Sequence, residues 1–418
     1  MTARRAATEL LVAVMDRGRA LEDALAETPS FNALEGRDRA FARALVTAGL
    51  RRLGGINTVL SHFLDRPLPD SANHARALLH LGAAQLLVLG TPAHAAVSET
   101  VETANHMREA RGFAKLMNAV LRKVARDGKT ILGDLPPGAD LPPWLYTRWR
   151  ASYGESAPRI ADALLNEPPL DISAKEDATG WAAQLQGQVT PSGSIRLAQH
   201  APIDGLLGFN DGAWWVQDAA AALPVKLLGD VRGKRVLDLC AAPGGKTLQL
   251  AAAGAHVTAV DKSEARLKRL RENLARTKLT AEVVCADALE FSAEAFDAVL
   301  LDAPCTSTGT LRRHPDVAWL RRPTDIKALA DLQAHLIEAT APLLKPGAPL
   351  VYAVCSLEPE EGPGVVAAAL GGGWRRAPLS NEVPAEFISA DGDMRTHPGH
   401  WPEIGGLDGF YAARLLRN

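Results

Sequence analysis

From Gln217 onward the sequence alternates short, almost continuously apolar runs with longer amphipathic stretches. The runs are RVLDLC, HVTAVD, AEVVCAD, FDAVLLDAPC and PLVYAVCS; between them lie EARLKRLRENLARTK and TDIKALADLQAHLIEATAPLL. Runs rich in Val, Leu and Ala lack the apolar–polar alternation of a half-exposed sheet, so each needs cover on both faces. Strands that alternate with helices supplying that cover specify a doubly wound, Rossmann-like α/β domain around a parallel sheet. Ligands of such domains bind beyond the carboxyl ends of the strands. Those ends read, in order, Asp238-Leu239-Cys240-Ala241-Ala242-Pro243-Gly244-Gly245-Lys246, then Asp261, Asp287, Asp302-Ala303-Pro304-Cys305 and Cys355-Ser356. Four acidic ends and two thiols over one sheet edge are poor packing material and mark a site.

The chain before this domain has a different grammar. Over the first 127 or so residues apolar positions recur at three- and four-residue spacing in ATELLVAVM, DRAFARALVTAGLRRLGGINTVLSHFL, HARALLHLGAAQLLVL, AHAAVSETVETANHM and GFAKLMNAVLRKVA, which predicts an all-α bundle. Residues 134–143, DLPPGADLPP, cannot continue a helix and suit a semi-rigid connector. Helical WLYTRWRASYG and IADALLN follow, then strand-like LDISA, QVTPSGSI and AWWVQD, a small α+β segment with Trp214 and Trp215 in its core. The expected organisation is a helical domain over 1–130, a linker and α+β segment over 131–217, and the α/β domain over 218–418.

Length and composition exclude several classes. A chain of 418 residues that is 47% apolar and 22% charged is neither a mini-protein nor disordered over any long stretch. No apolar run reaches the roughly 18–20 residues of a bilayer span. The start, MTARRAATELLVAVMDRG, imitates a signal peptide, but Glu9 and Asp16 interrupt its apolar part, so a cytoplasmic protein with no membrane partner is expected. Four cysteines without a C-x-x-C pair make neither a disulfide framework nor a zinc site by spacing, and no metal is expected. Residues 1–127 carry 17 Lys and Arg against 13 Asp and Glu, whereas the remainder carries 29 against 35. The basic excess is confined to the front, consistent with an accessory nucleic-acid surface.

The first strand-end loop contains glycines and opens a helix, TLQLAAA, so backbone can approach a ligand closely there. Gly245-Lys246-Thr247 and the later AVLLD resemble the two halves of a P-loop ATPase, but that motif needs glycine where Cys240 stands. Asp261, at the next strand end, suits ribose hydroxyls. Three further carboxylates favour a nucleoside bearing a cationic sulfonium over a triphosphate. S-adenosylmethionine is therefore the expected cofactor. Two thiols at adjoining strand ends then point to the acceptor. Carbon 5 of cytosine is not nucleophilic until a thiolate adds to carbon 6 and makes an enamine. Asp302, three residues before Cys305, is placed to meet the charge formed at ring nitrogen 3. The carbon 5 proton must afterwards be removed so that the nucleophile can leave, a task for the second thiol or a water that it positions. Chemistry alone does not say which cysteine plays which part.

LDLCAAPGGKT, VDKS, CADA, LLDAPCTSTGTLRRHPDVAWLR and VYAVCSLEPEEG resemble the RNA 5-methylcytosine methyltransferases of the Nol1/Nop2/Sun family. The helical front is similar to NusB, an RNA-binding antitermination bundle, and the pairing is characteristic of bacterial enzymes acting on 16S ribosomal RNA. The resemblance is most specific from Val236 to Glu361. It implies that Cys355 is the nucleophile and Cys305 assists product release. It also implies that Cys240, Ala241, Ala242, Pro243, Gly244, Gly245 and Lys246, with Asp261, Asp287 and Asp302, bind S-adenosylmethionine. Asp302 would also face the base, and Lys246 would hold Asp302 or the cytosine. Val354 departs from the family's usual threonine beside the nucleophile. Cys285 has no role in the family and is expected in the core. Arg312, Arg313, His314, Arg321 and Arg322 form a basic stretch for which phosphate contact and structural pairing weigh equally. A monomeric RNA cytosine-5 methyltransferase with a ribosomal RNA substrate is expected; the readings from other classes are the P-loop-like ATPase and a non-catalytic RNA-binding module.

Overall fold

Every apolar run after Gln217 becomes a strand, and all but the one at Glu282–Cys285 are largely buried. In the computed structural model, which describes residues 2–197 and 202–418, the chain forms two compact units. One comprises Met1–Asn166 with Leu311–Arg322, the other Glu167–Thr310 with Pro323–Asn418.

The second unit holds two sheets. The smaller contains β1 (Leu170–Ala174), β2 (Gln188–Val189), β3 (Ile195–Leu197) and β4 (Trp214–Val216) in the antiparallel order β2-β3-β1-β4. Trp214 is buried in its core, and Trp215, on the other face of β4, in a core of the larger sheet. Arg196 of β3 makes a two-pronged pair with Asp171 of β1, both bonds 2.7 Å, and donates to the carbonyls of Ile404 and Gly406. These bonds fix the small sheet to the C-terminal part of its own unit. Removing either charge alone would leave the other buried and unmatched.

The larger sheet contains β5 (Arg235–Leu239), β6 (His256–Asp261), β7 (Glu282–Cys285), β8 (Ala298–Asp302), β9 (Pro349–Val354), β10 (Trp374–Arg376), β11 (Met394–Arg395) and β12 (Tyr411–Arg417). Its order is β10-β12-β9-β8-β5-β6-β7, with β11 paired to β12. The five expected strands run parallel. The sheet is mixed rather than wholly parallel, because β12 is antiparallel to β9 and to β10. The segment YAARLLR carries no turn signal or clean alternation that distinguishes a strand from a helical turn, so periodicity does not reveal it. Successive residues of a strand enter opposite layers. Val236, Leu300, Val351 and Ala353 pack in one core, and Leu237, Val299, Leu301, Leu350 and Tyr352 in the other. Cys285 is exposed rather than in the core, since β7 is the sheet's edge and has no neighbour on one side.

The chain runs outward from β5 through β6 to β7 and returns to β8 on the other side of β5. The β5–β8 boundary is the switch point where connections diverge and leave a crevice. In the register there, Leu239 pairs with Leu301 and Asp302 with Ala353. The loops after β5, β8 and β9 therefore leave the sheet at nearly the same level.

The first unit is helical, with Ala3–Met15, Gly36–Arg51, Leu53–Phe63, Asn73–Leu87, Ala93–His106 and Ala114–Gly133 around a core that includes Leu10, Leu45, Ile56, Leu78 and Leu121. The periodic stretch from Asp38 to Leu64 breaks at Arg52 into two helices. The connector packs against the start of the second: a Cβ on Gly54 would meet the Ala139 carbonyl oxygen at 2.2 Å, and Arg52 donates to Asp140 at 2.9 Å. Only glycine admits so close a backbone. Residues 311–322 also belong to this unit. Asp316 accepts from the Leu21 amide at 2.9 Å, the Arg312 carbonyl from Arg51 at 2.8 Å, and the Leu50 carbonyl from Trp319 at 3.2 Å. Arg312 itself is buried, so of the two readings of the basic stretch this residue takes the structural one. No helix among the described residues is long and apolar enough to cross a membrane.

Candidate active site

The loop after β5 turns sharply before the helix Gly245–Ala252. Cys240 has φ 59° and Gly244 φ 108°, and a Cβ on Gly244 would lie 2.9 Å from Leu270 Cγ. Glycine is required there on both grounds. Asp261, at the end of β6, holds the loop from beneath: it accepts from the Ala242 amide at 3.2 Å and the Ser263 amide at 2.9 Å, and Arg266 pairs with it at 3.2 Å. Arg266 also donates to the Ala242 carbonyl. A carboxylate oxygen has two acceptor positions, so Asp261 retains capacity toward a ligand.

A cavity of about 320 Å³ opens at these strand ends. It is lined by Cys240, Asp261, Asp287, Asp302, Cys305 and Cys355, with Lys262, Arg266, Ala286, Ala288, Leu289, Ala303, Pro304, Ser307, Leu332 and Leu336. Six of the expected site residues thus share one wall. Ala241, Ala242, Pro243, Gly244 and Gly245 shape the adjoining loop but do not line the cavity. Lys246 reaches the site through Asp302, its Nζ lying 2.7 Å from Oδ2. That ammonium is nearly buried and stands 5.1 Å from the Phe410 ring centroid. A lysine so occupied by a carboxylate is a poor phosphate ligand. A larger hollow of about 560 Å³ lies in the helical unit, lined by Glu9, Arg17, Arg19, Glu27 and His74 among others; it holds no thiol.

The two thiols expected to act together do meet: Cys305 Sγ and Cys355 Sγ are 3.4 Å apart. Cys355 falls below the usual thiol range because it accepts a hydrogen bond from Cys305, against the opposing effects of burial and Asp302. Cys305 is held well above it by that same bond and by burial. These opposite shifts favour the proton on Cys305 and make Cys355 the more readily ionised thiol of the two. Burial pushes the Cys240 thiol up to about 12, with the surrounding aspartates adding to the effect, so Cys240 meets the cavity as a neutral thiol.

Sequence reasoning leaves several residues without a role. Asp238, fully buried under the loop, accepts from Thr247 Oγ1 at 2.6 Å, while its second oxygen has no partner among the described residues. Burial raises its carboxyl to about 7. Behind the thiols lies a buried polar group of Thr306, Gln333, Tyr352, Ser356 and Glu361. Glu361 stands inside a family-like motif, but nothing in spacing alone reveals that the fold returns it to both cysteine loops.

Comparison with known proteins follows these features closely. Residues 225–416 match the family model described as 16S rRNA methyltransferase RsmB/F, and residues 1–126 match the NusB family. The chain is 36% identical to the ribosomal RNA small subunit methyltransferase B of Vibrio vulnificus, over 100% of both proteins. Among solved structures, PH0851 superposes with a TM-score of 0.77 at 22% identity, covering 99% of each chain. A methyltransferase homolog protein from Pyrococcus horikoshii has a TM-score of 0.56 at 28% identity, covering 71% of this chain and 98% of its own.

Proposed function

The chain belongs to the RsmB/F family of 16S rRNA methyltransferases, and on that premise we propose that it methylates carbon 5 of a cytosine in 16S ribosomal RNA through a covalent adduct of Cys355 with carbon 6. The observation that carries this reading is the 3.4 Å separation of the two thiols beside the Lys246–Asp302 pair.

S-adenosylmethionine supplies the methyl group as an electrophilic sulfonium. The residues present fit it: the cavity wall carries Asp261, Asp287 and Asp302, acceptors suited to ribose hydroxyls and to positive charge, beside the close-approach loop Cys240–Lys246. These residues would hold it.

The target cytosine must first leave its stack, since a thiol cannot reach carbon 6 within a helix. Cys355 adds its sulfur to carbon 6, and the displaced electron pair moves onto nitrogen 3. A proton passes to that nitrogen from the Lys246 ammonium through the Asp302 carboxylate, 2.7 Å from it. After the methyl group joins carbon 5, the proton there passes to a water that the Cys305 S–H orders. The carbon–sulfur bond then breaks, nitrogen 3 returns its proton, and Cys355 leaves as a thiolate. The Cys305 S–H is already placed to hydrogen-bond the returning charge. The NusB-like helices act as the RNA-docking part.

The test is methyl transfer to unmodified 16S ribosomal RNA with mapping of the product nucleoside. Cysteine-dependent formation of 5-methylcytosine is expected. Methylation of a ring or exocyclic nitrogen instead would overturn the reading. Thermal stabilisation by S-adenosylhomocysteine and not by ATP is expected as well, and the reverse would favour the ATPase alternative.

A further inference from the structure

Glu361 is fully buried, and both its oxygens are bound by residues that directly follow the two cysteines. Oε1 accepts from the Thr306 amide at 2.8 Å and from Gln333 Nε2 at 3.1 Å. Oε2 accepts from Ser356 Oγ at 2.5 Å and from the Thr306 hydroxyl. Thr306 follows Cys305 and Ser356 follows Cys355. Gln333 also donates to the Pro304 carbonyl at 2.8 Å, on the other side of Cys305. We infer that Glu361 is a positioning residue, a clamp that sets the separation of the two thiols by tying their loops to one carboxylate.

Two features favour this role over simple packing. A carboxylate is costly to bury unless its acceptor positions are filled, and an apolar side chain of similar volume would pack the same space without that cost. Moreover, all four partners present hydrogens, which only an acceptor-only group satisfies completely. The register of β8 with β9 brings the strand ends level but does not fix the loops beyond them. The carboxylate supplies that missing constraint. Its charge also adds, after the Cys355 hydrogen bond and burial, to what keeps the proton on Cys305. Besides Cys305, the groups that face Cys355 are Asp302, Lys246 and Ser307.

The inference rests on the proposed roles of the cysteines only for its effect on turnover, so the test has one arm without RNA. Iodoacetamide alkylation of Cys355, followed by peptide mapping across pH, reads the thiol pair directly. In Glu361→Gln the amide NH₂ opposes hydroxyl donors, the loops separate, and the midpoint for Cys355 is expected to move up. Thr306→Val, which loses one hydroxyl donor, should shift it in the same direction, whereas Thr306→Ser should restore the original profile. In the second arm, kcat of Glu361→Gln should fall about 10- to 100-fold, the scale of an ångström misplacement, with KM for RNA unchanged. Unchanged alkylation profiles in Glu361→Gln and Thr306→Val would overturn the clamp. A rise in KM with kcat intact would do so too. Should Glu361→Gln not fold, Thr306→Val and Ser356→Ala each cut one arm and carry the same expectation. If Cys355 proves not to be the nucleophile, the alkylation arm still decides whether Glu361 positions the pair.

Discussion

Cys305 Sγ lies 3.4 Å from Cys355 Sγ, and their contact pulls the two thiols apart, Cys355 down and Cys305 up from the ordinary thiol range. Because the bond from Cys305 is the main cause that lowers Cys355, its loss must raise Cys355. In Cys305→Ala the thiolate absorbance assigned to Cys355 should therefore appear at higher pH than in the parent. The measurement is the ultraviolet titration difference against Cys305→Ala/Cys355→Ala. An unchanged midpoint would mean that Cys305 does not donate to Cys355.

Lys246 and Asp302 form one unit, joined at 2.7 Å with the ammonium nearly buried. Lys246→Met and Asp302→Asn should each lower kcat about 100-fold or more, the usual contribution of a positioned acid or base. Because each residue acts through the other, the double variant should be little worse than either single one. Multiplying losses in the double-variant cycle would show that they work independently.

His80 is buried in the helical unit between the Gly49 carbonyl, 3.0 Å away, and Asn57 Oδ1, 3.1 Å away. Burial lowers it to about 4 from its ordinary 6.5, an effect that the Gly49 bond only partly offsets. Between those values the unfolded chain binds the proton and the folded one does not, so stability is retained above 6.5 and lost as pH falls toward 4. The span corresponds to about 3 kcal/mol. Chemical denaturation at pH 7 and pH 4 should show a smaller acid loss in His80→Gln than in the parent. Equal losses would place the His80 titration elsewhere.

Strands β5 to β9 were legible because each is a short apolar run that ends in a polar or reactive residue, and the functional wall followed from where such runs must terminate. Tyr411–Arg417 was not legible as a strand, since its seven residues fit either period and its pairing with β9 is long-range. Cys285 was misplaced in the core because position at the sheet edge depends on strand order, which periodicity does not contain. Arg312 shows the same limit: its charge invites a phosphate, yet its segment packs into the helical unit, which only the folded topology decides. Glu361 lay within a motif read for its cysteine. Its bond to Thr306, 55 residues earlier, arises from β8 and β9 being neighbours.

The most direct test is to trap the reaction midway. Cys305→Ala, incubated with S-adenosylmethionine and unmodified 16S ribosomal RNA, should accumulate a protein–RNA adduct that survives denaturation. After ribonuclease digestion, mass spectrometry should place the nucleotide on Cys355, and Cys305→Ala/Cys355→Ala should give none. An adduct mapped to another residue, or full turnover by Cys355→Ala, would contradict the covalent mechanism.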